Sequence, residues 1–258
     1  MPADTTQTIK RAISLLDCFT LEHPELGVRE IARMVNLSSS TTGRLLASMK
    51  DLGILRQNPT SKAYSLGGKV LAWAEVYSSS LDVRNVAVPL LSKLHKDTNE
   101  TVSLYVLEGN QRLCVERMES DQGVRIVQRV GRRLPLYAGS AGKVFLAFLP
   151  EARRLEILNN INWEPLTIKT IIDRPTLEKE LVLIRQKGYA VSMGEWILEA
   201  SGVAAPIFDQ KGDITAAVSL SGPSQRFNEK QVSRFITEVT HVAEKISREM
   251  GYYRNSQF

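Results

Sequence analysis

The order of elements in the first 67 residues constrains the fold of this chain more than any other feature. Three short segments carry apolar residues at helical spacing, and two short strand-like runs follow them, at 8–19, 28–35, 38–52, 54–57 and 63–66. The second and third helices are separated only by the tight turn Asn36–Leu37. This order predicts a winged helix-turn-helix, whose third helix fits the major groove of DNA.

The first helix has an apolar stripe that we expect to face the core of this domain. Its members recur at helical spacing and are Ile9, Ala12, Ile13, Leu16 and Phe19. A turn-forming run, Asn58–Pro59–Thr60–Ser61, joins the two strands of the wing.

Short hydroxyl side chains crowd the start of the third helix. They can cap the helix or bond phosphates and base edges, and the helix N-terminus itself favours a phosphate. Basic side chains on the wing can grip the DNA backbone beside it. The candidate DNA contacts are therefore Ser38, Ser39, Ser40, Thr41, Thr42 and Arg44 from the helix, and Arg56, Lys62 and Tyr64 from the wing.

Taken alone, the Ser/Thr run is equally typical of a cap on an ordinary helix bundle, and only its place in the helix–turn–helix–hairpin order favours DNA. Gly43 costs the third helix roughly 1 kcal/mol relative to alanine. It either permits a close approach of the helix to DNA or is simply tolerated.

Charge contributes little to this interpretation. The net charge of the whole chain is +5, with +2 on residues 1–80 and +3 on the remainder. Neither part is basic enough to identify nucleic acid as the partner. Because no apolar run or basic leader suggests a membrane or secretion, we expect a cytoplasmic protein without membrane contact. Two distant cysteines and three scattered histidines predict neither a metal site nor a cofactor.

After Leu81 the pattern changes to strands in hairpins with helices around them. Strand-like runs occur at 101–107, 112–118, 123–130, 189–193, 203–209 and 214–221. Helical runs occur at 82–96, 141–148, 151–159, 176–187 and 228–250. We therefore expect an α+β protein with a winged helix-turn-helix at 1–67, a linker helix at 68–81, and an antiparallel sheet with flanking helices at 82–258.

The segment Gly139–Ser140–Ala141–Gly142 opens a helix and would turn free backbone N–H groups toward an anion. It is no nucleotide P-loop, because only two residues separate its glycines and Val144 follows Lys143. Ser219 and Ser221 alternate along one face of a strand and can present hydroxyls to a cavity. Val124 and Ile126 would supply an apolar wall for it, and Trp196 an aromatic one.

Several stretches resemble the isocitrate-lyase-regulator (IclR) family of bacterial transcription factors. In the first domain they are 8–19, Val28–Ala32, Ser40–Thr41, Arg44–Leu46 and Tyr64–Gly67, and in the second 131–143, 203–209 and 218–223. The chain has Ser38–Ser39 where the family often has Pro–Lys, and Gly43 where a larger residue is usual. These departures concern the operator sequence rather than the fold.

The resemblance implies a DNA-binding regulator with a GAF-like effector domain for small organic acids or aromatic metabolites. It places Ser140, Ala141, Ser219 and Ser221 at ligand-contacting positions, and Ser192 where some members have an acidic residue. Glu195 could bond a ligand donor but would repel an acid. The resemblance also implies dimers that commonly associate into tetramers, and double-stranded operator DNA as partner.

Two other functions compete with this one. GAF-like domains can host thiol chemistry, and Cys114 is the one candidate nucleophile of the second domain, but no resolving cysteine lies near it. A scaffold that binds proteins through its helices would explain neither the wing nor the cavity. We therefore expect no enzymatic activity.

Overall fold

The computed structural model of the chain describes residues 3–79, 82–126 and 129–252. It divides into two compact units, 1–80 and 81–258. The helix predicted as a linker belongs to the first of these units.

The first unit is the winged helix-turn-helix that the sequence predicts. Its elements are α1 (Ala3–Leu16), α2 (Val28–Met34), α3 (Ser39–Asp51), β1 (Leu55–Gln57), β2 (Tyr64–Leu66) and α4 (Gly68–Ser79). The two strands pair antiparallel, with Leu55 opposite Leu66. An isolated bridge between Leu26 and Tyr64 adds the segment before α2 to the wing.

The core of the first unit bears out part of our prediction for the first helix. Ala12, Leu16 and Phe19 pack against the core beside the buried Leu15, whereas Ile9 is 60% and Ile13 52% exposed. The helix also begins at Ala3 rather than near Thr8. It contacts α3, and its buried residue Leu15 lies in its last turn, so the apolar Ile9 and Ile13 of the earlier turns remain exposed.

A glycine contact joins the end of α3 to the start of α4. A Cβ atom on Gly67 would overlap the carbonyl oxygen of Gly53, which itself has a φ of +76°. Lys69 Nζ donates to the carbonyl oxygen of Leu52 at 3.3 Å. The wing therefore returns the chain directly against the end of the third helix.

The second unit is an antiparallel six-stranded sheet with helices on both faces, which confirms the predicted antiparallel sheet with flanking helices. Its helices are α5 (Asp82–Thr98), α6 (Ser140–Phe148), α7 (Glu151–Asn159), α8 (Arg174–Lys187) and α9 (Glu229–Glu249). Its strands are β3 (Thr101–Glu108), β4 (Gln111–Met118), β5 (Arg133–Pro135), β6 (Ala190–Met193), β7 (Ala200–Phe208) and β8 (Ile214–Pro223). The strand order is β5-β4-β3-β8-β7-β6.

The two faces of the sheet differ in character. Alternate residues of the central strands, among them Leu104, Val203 and Leu220, pack under α5 and α9. On the opposite face, α6, α7 and α8 cover an apolar cluster that includes Tyr105 and Ala217. Because side chains alternate along a strand, Ser219 and Ser221 of β8 lie on the same face as Ala217, toward α6.

The strand predicted at 123–130 is wrong for the part of that stretch that the structure describes, 123–126 and 129–130. Val124 is 71% exposed, so its apolar side chain is not half-buried as a strand pattern requires. The carbonyl oxygens of Val124 and Ile126 accept hydrogen bonds from Arg226 and Arg117 instead of from a neighbouring strand. The short strand β5 follows this loop and was not predicted.

None of the helices in the described ranges is long and apolar enough to span a bilayer.

Candidate functional site

Ser38 caps α3, as the sequence predicts. Its hydroxyl oxygen accepts a hydrogen bond from the Thr41 amide nitrogen at 3.2 Å and donates to Thr41 Oγ1 at 2.9 Å. Ser39 and Ser40, in the first turn, are exposed, and so is Arg44 one turn later. The start of the third helix therefore presents hydroxyls and a cation to solvent.

Thr42 and Tyr64 do not belong to that surface, and our predictions for both are corrected. Thr42 has 0% exposure because it shares a helix face with the buried Leu46 and Met49, four and seven residues later. That spacing was readable in the sequence. Tyr64 is buried because it packs into the core beside Leu26.

The wing keeps the other two predicted cations at its surface. Arg56 is exposed, and its Nε donates to Ser65 Oγ at 2.9 Å across the hairpin. Lys62 is exposed in the turn and has a φ of +60°, a left-handed conformation that is uncommon for lysine. Gly43 has room for a side chain, since an added Cβ would lie 3.6 Å from Val28 Cγ1. Internal packing therefore does not require a glycine there.

In the second unit, a cavity of about 50 Å³ lies between the start of α6 and the end of the sheet face that carries Ser219 and Ser221. Seven of the nine predicted effector residues line it: Ile126, Gly139, Ser140, Ala141, Ser192, Ser219 and Ser221. Trp196, expected as an aromatic wall, lines it too. The two serines of β8 and the glycine-rich start of α6 therefore line the same cavity.

The start of α6 supplies backbone donors to this cavity. Gly139 precedes the helix with a φ of +82°, and the first helical bond is from the Lys143 amide to the Gly139 carbonyl at 3.2 Å. The amides of Ser140, Ala141 and Gly142 therefore have no partner within the helix. Ser140 Oγ lies over the sheet, 3.2 Å from where a Cβ on Gly202 would be.

The two remaining predicted effector residues lie outside the cavity. Val124 is exposed in the loop before Ile126. Glu195 is buried behind the helix start, where its Oε2 accepts from the Gly139 amide at 3.1 Å and its Oε1 lies 2.5 Å from Lys143 Nζ. Glu180 also lies 2.5 Å from that ammonium. Glu195 therefore positions the start of α6.

Sequence reasoning missed Arg112, which lines the cavity with only 3% exposure. Its Nη1 donates to the carbonyl oxygens of Pro135 and, at 2.8 Å, Ala138. Its guanidinium carbon lies 5.6 Å from the centre of the Tyr105 ring. Burial lowers the pKa of Arg112 to about 10, which leaves it charged at neutral pH. The one signal in the sequence was an arginine directly before the apolar run Leu113–Val115.

The position of Arg112 explains why residue 142 is a glycine. An added Cβ would overlap Arg112 Nη1 and the Leu136 carbonyl oxygen. Glycine at this position therefore lets the guanidinium lie against the helix.

Cys114 does not have the surroundings of a nucleophile. It is buried, and burial raises the pKa of its thiol to about 11. The thiol is therefore protonated at neutral pH and unreactive. Among the described residues, no group of three or more His, Cys, Asp or Glu side chains could hold a metal ion.

A larger groove of about 530 Å³ lies between α8, β7 and α9 and contains none of the predicted site residues. At its floor, β7 continues beyond Ala204, where its pairing with β6 ends. Pro206 has no amide hydrogen there, and the Phe208 amide donates to Ser247 Oγ at 3.0 Å.

Comparison with known families agrees with this architecture along most of the chain. Residues 8–59 match the IclR helix-turn-helix domain, and residues 75–248 match the bacterial transcriptional regulator IclR C-terminal domain.

Among curated proteins, the HTH-type transcriptional regulator KipR of Bacillus subtilis (strain 168) is 31% identical over 246 residues, 95% of this chain and 98% of that protein. The HTH-type transcriptional repressor AllR of Escherichia coli (strain K12) is 31% identical over 248 residues, 95% of this chain and 90% of the repressor.

Solved structures show the same fold. The Thermotoga maritima IclR superposes with a TM-score of 0.83 at 31% identity, covering 96% of this chain and all of that one (100%). An IclR homolog from Microbacterium hydrocarbonoxydans, complexed with 4-hydroxybenzoate, gives a TM-score of 0.84 at 28% identity, covering 94% and 98%. The chain belongs to the IclR family of bacterial transcriptional regulators and combines a DNA-binding helix-turn-helix domain with a C-terminal effector-binding domain.

Proposed function

We propose that this regulator contacts operator DNA through the start of α3 and the wing, and that a small organic effector in the cavity beside α6 controls that contact. The observation that carries the proposal is the cavity. Serine hydroxyls from β6, β8 and α6 meet there at a helix start with unpaired amides. Such a site is suited to a carboxylate or another small polar ligand.

The DNA contacts we propose are the exposed members of the predicted set. Ser39, Ser40 and Arg44 lie on the first turns of α3, where hydroxyls, helix amides and a cation can meet phosphates and base edges. Arg56 and Lys62 lie on the wing and would hold the flanking backbone. Ser38 and Thr41 contribute mainly through the cap that fixes the helix start.

We also propose that the regulator acts as a homodimer on a two-fold operator, with dimers pairing into tetramers. Two helices of the first unit carry apolar side chains that the unit leaves exposed: Ile9 and Ile13 on α1, and Leu71, Trp73 and Val76 on α4. Ile9 and Ile13 are four residues apart and Trp73 and Val76 three, so each pair shares a helix face, and exposed apolar patches are typical of association surfaces. Two copies would place two recognition helices on one operator.

The end of α3 and the start of α4 offer a route from effector to DNA. Gly67 packs on Gly53, and Lys69 bonds the Leu52 carbonyl, so a displacement of α4 would move the end of α3. A ligand that favours one position of α4 would shift the population that fits DNA. In this scheme α4 is the linker, and residues 1–67 and 82–258 are the DNA-binding and effector domains.

The protein would work in the cytoplasm by binding alone, without catalysis or a cofactor. The buried, protonated thiol of Cys114 supports this, since it is the single thiol of the effector domain.

The proposal is tested by measuring binding to the DNA upstream of the regulator's own gene against random DNA at moderate salt. We expect Arg44→Ala to weaken specific binding at least tenfold. The control is Lys230→Ala, an exposed cation at the start of α9 in the other domain, which should bind as the wild type does. Equal affinity of the wild type for both DNAs would overturn the proposal.

A further inference from the structure

We propose that the groove between α8, β7 and α9 is a small-molecule site distinct from the effector cavity, and that it takes an aromatic carboxylate. The groove shares no lining residue with that cavity, so the inference does not depend on the role proposed for the cavity. Its volume of about 530 Å³ lies within the range of sites that hold small organic ligands.

One side of the groove is a row of aromatic rings. Phe148 and Phe208 meet with ring centroids 5.4 Å apart and ring planes at 76°. Phe208 and Tyr252 meet with ring centroids 5.0 Å apart. All three side chains line the groove and are half-buried, so the row keeps ring surface open to it. A ligand ring can add to such a row in an offset or edge-to-face arrangement.

The floor of the groove favours a ring over an added peptide strand. Pro206 has no amide hydrogen, and the Phe208 amide already donates to Ser247 Oγ at 3.0 Å. Ala205 and Ala243 contribute small buried side chains, which leave the groove deep at this point. A peptide strand would find few backbone donors here, whereas the face of an aromatic ring needs none.

The rim of the groove carries basic side chains without acidic partners. Arg185 Nε donates to the Ala147 carbonyl oxygen at 2.7 Å, which holds the guanidinium in place. Its Nη atoms, and the ammonium of Lys187, form no hydrogen bond or ion pair with any described residue. The acidic Glu244 lies 3.8 Å from Arg248 on its own helix, so those two charges offset each other. Arg185 and Lys187 therefore favour an anion at this side of the groove.

These two cations alone would not indicate a ligand, because they lie in the last turn of α8, where positive charge also stabilises the helix dipole. Tyr189, which follows them, is a second observation. It is half-buried, lines the same groove, and has a hydroxyl that forms no hydrogen bond with a described residue. Two cations and a phenol donor beside an aromatic row match the two ends of an aromatic carboxylate.

The test measures binding of 2-naphthoate and of its neutral amide, 2-naphthamide, to the full-length protein by calorimetry at low salt. We expect the wild type to bind the acid at least about threefold more tightly than the amide. The double variant Arg185→Gln/Lys187→Gln should lower acid affinity about 3- to 10-fold and bring the acid-to-amide ratio close to one. The matched control is Lys245→Gln, an exposed cation of α9 outside the groove, which should leave the ratio unchanged.

Phe208→Leu tests the aromatic row. It should weaken acid and amide alike, by about threefold or more, and keep their ratio, because the ring contact is lost while the cations stay. Should Phe208→Leu or the double variant not fold, Lys187→Gln alone decides, since this side chain makes no hydrogen bond or ion pair in the described chain. It should weaken the acid about two- to fivefold and leave the amide unchanged; wild-type affinity for the acid would overturn the proposal.

Three further results would overturn it. The first is no binding of 2-naphthoate to the wild type, which a second copy of the chain covering the groove would also produce. The second is a wild-type acid-to-amide ratio in the double variant. The third is acid binding that Ser219→Ala removes and the double variant keeps, which would place the acid in the effector cavity. None of these results touches the proposed function, because operator binding is measured separately.

Discussion

Lys143 on α6 and Glu195 after β6 lie 2.5 Å apart with side-chain exposures of 0% and 10%. The same carboxylate accepts a hydrogen bond from the Gly139 amide, so one buried ion pair fixes the start of the helix that borders the cavity. This contact makes the shape of the cavity depend on a residue that does not line it.

We expect Glu195→Gln to lower the free energy of unfolding by about 1–3 kcal/mol, because Lys143 keeps Glu180 but loses its buried partner. Urea unfolding measures this loss. A double-mutant cycle that combines Glu195→Gln with Lys143→Met should show a coupling energy of about 1–3 kcal/mol between the two side chains. Glu178→Gln, which breaks the exposed pair with Arg174, is the control and should change stability by less than about 1 kcal/mol. Additive effects of the two buried substitutions would contradict the coupling.

Gly67→Ala is expected to destabilise the first unit by about 1–3 kcal/mol, since the new Cβ overlaps a backbone oxygen that cannot swing away. The adjacent Gly68→Ala is the matched variant. It places a methyl group in open space at the first turn of α4 and should be neutral or slightly stabilising. Thermal unfolding of both variants tests this expectation. Similar melting temperatures would show that the contact between residue 67 and the Gly53 carbonyl relaxes at little cost in stability.

Gly43→Ala should raise the free energy of unfolding by about 0.5–1 kcal/mol, because it improves helix propensity where the methyl group has space. Operator affinity of the same variant then separates the two roles open to this glycine. A loss of affinity in a more stable protein assigns it to the approach of α3 to DNA, and unchanged affinity shows that it is tolerated. Lower stability would contradict the packing described above.

The stability of the second unit should fall with rising pH because of Cys114. Its thiol has a pKa of about 11 in the folded protein against an ordinary 9.0. A raised pKa means that the unfolded chain releases the proton first, so the contribution of Cys114 to stability is complete below pH 9 and is lost between pH 9 and 11. At pH 10 the decline amounts to about 1 kcal/mol.

Cys114→Ala lacks this titration. We therefore expect the difference in unfolding free energy between wild type and variant, measured by urea unfolding, to be about 1 kcal/mol smaller at pH 10 than at pH 8. A difference independent of pH would show that the thiol does not titrate there.

Where one periodicity dominates, the sequence predicted which residues share a face of the candidate cavity. The alternation of Ser219 and Ser221, with the glycine-rich start of α6, predicted which residues meet at the cavity. The wing and the cap at Ser38 followed from local turn and capping chemistry.

Arg112 and Ile9 show what local patterns could not predict, whereas the burial of Thr42 could have been predicted from its helical spacing. Arg112 is buried against a helix start more than 25 residues away, a contact set by tertiary packing. The hydroxyl of Thr42 suggested the surface, although its spacing to Leu46 points inward. Ile9 belongs to an apolar stripe, and only the packing of the domain shows that Ile9 and Ile13 are exposed while the rest of the stripe meets the core.

The edges of the sheet carry a consequence for the behaviour of the protein at high concentration. The edge strands β5 and β6 have three and four residues, and β5 ends in Pro135. Beyond Ala204, β7 still pairs with β8 but no longer with β6. In that part of β7, Pro206 has no amide hydrogen, and the Phe208 amide donates to Ser247 Oγ. Short edge strands, together with the proline and the occupied amide of β7, disfavour pairing with a strand from another molecule, so they protect the sheet against edge-to-edge aggregation.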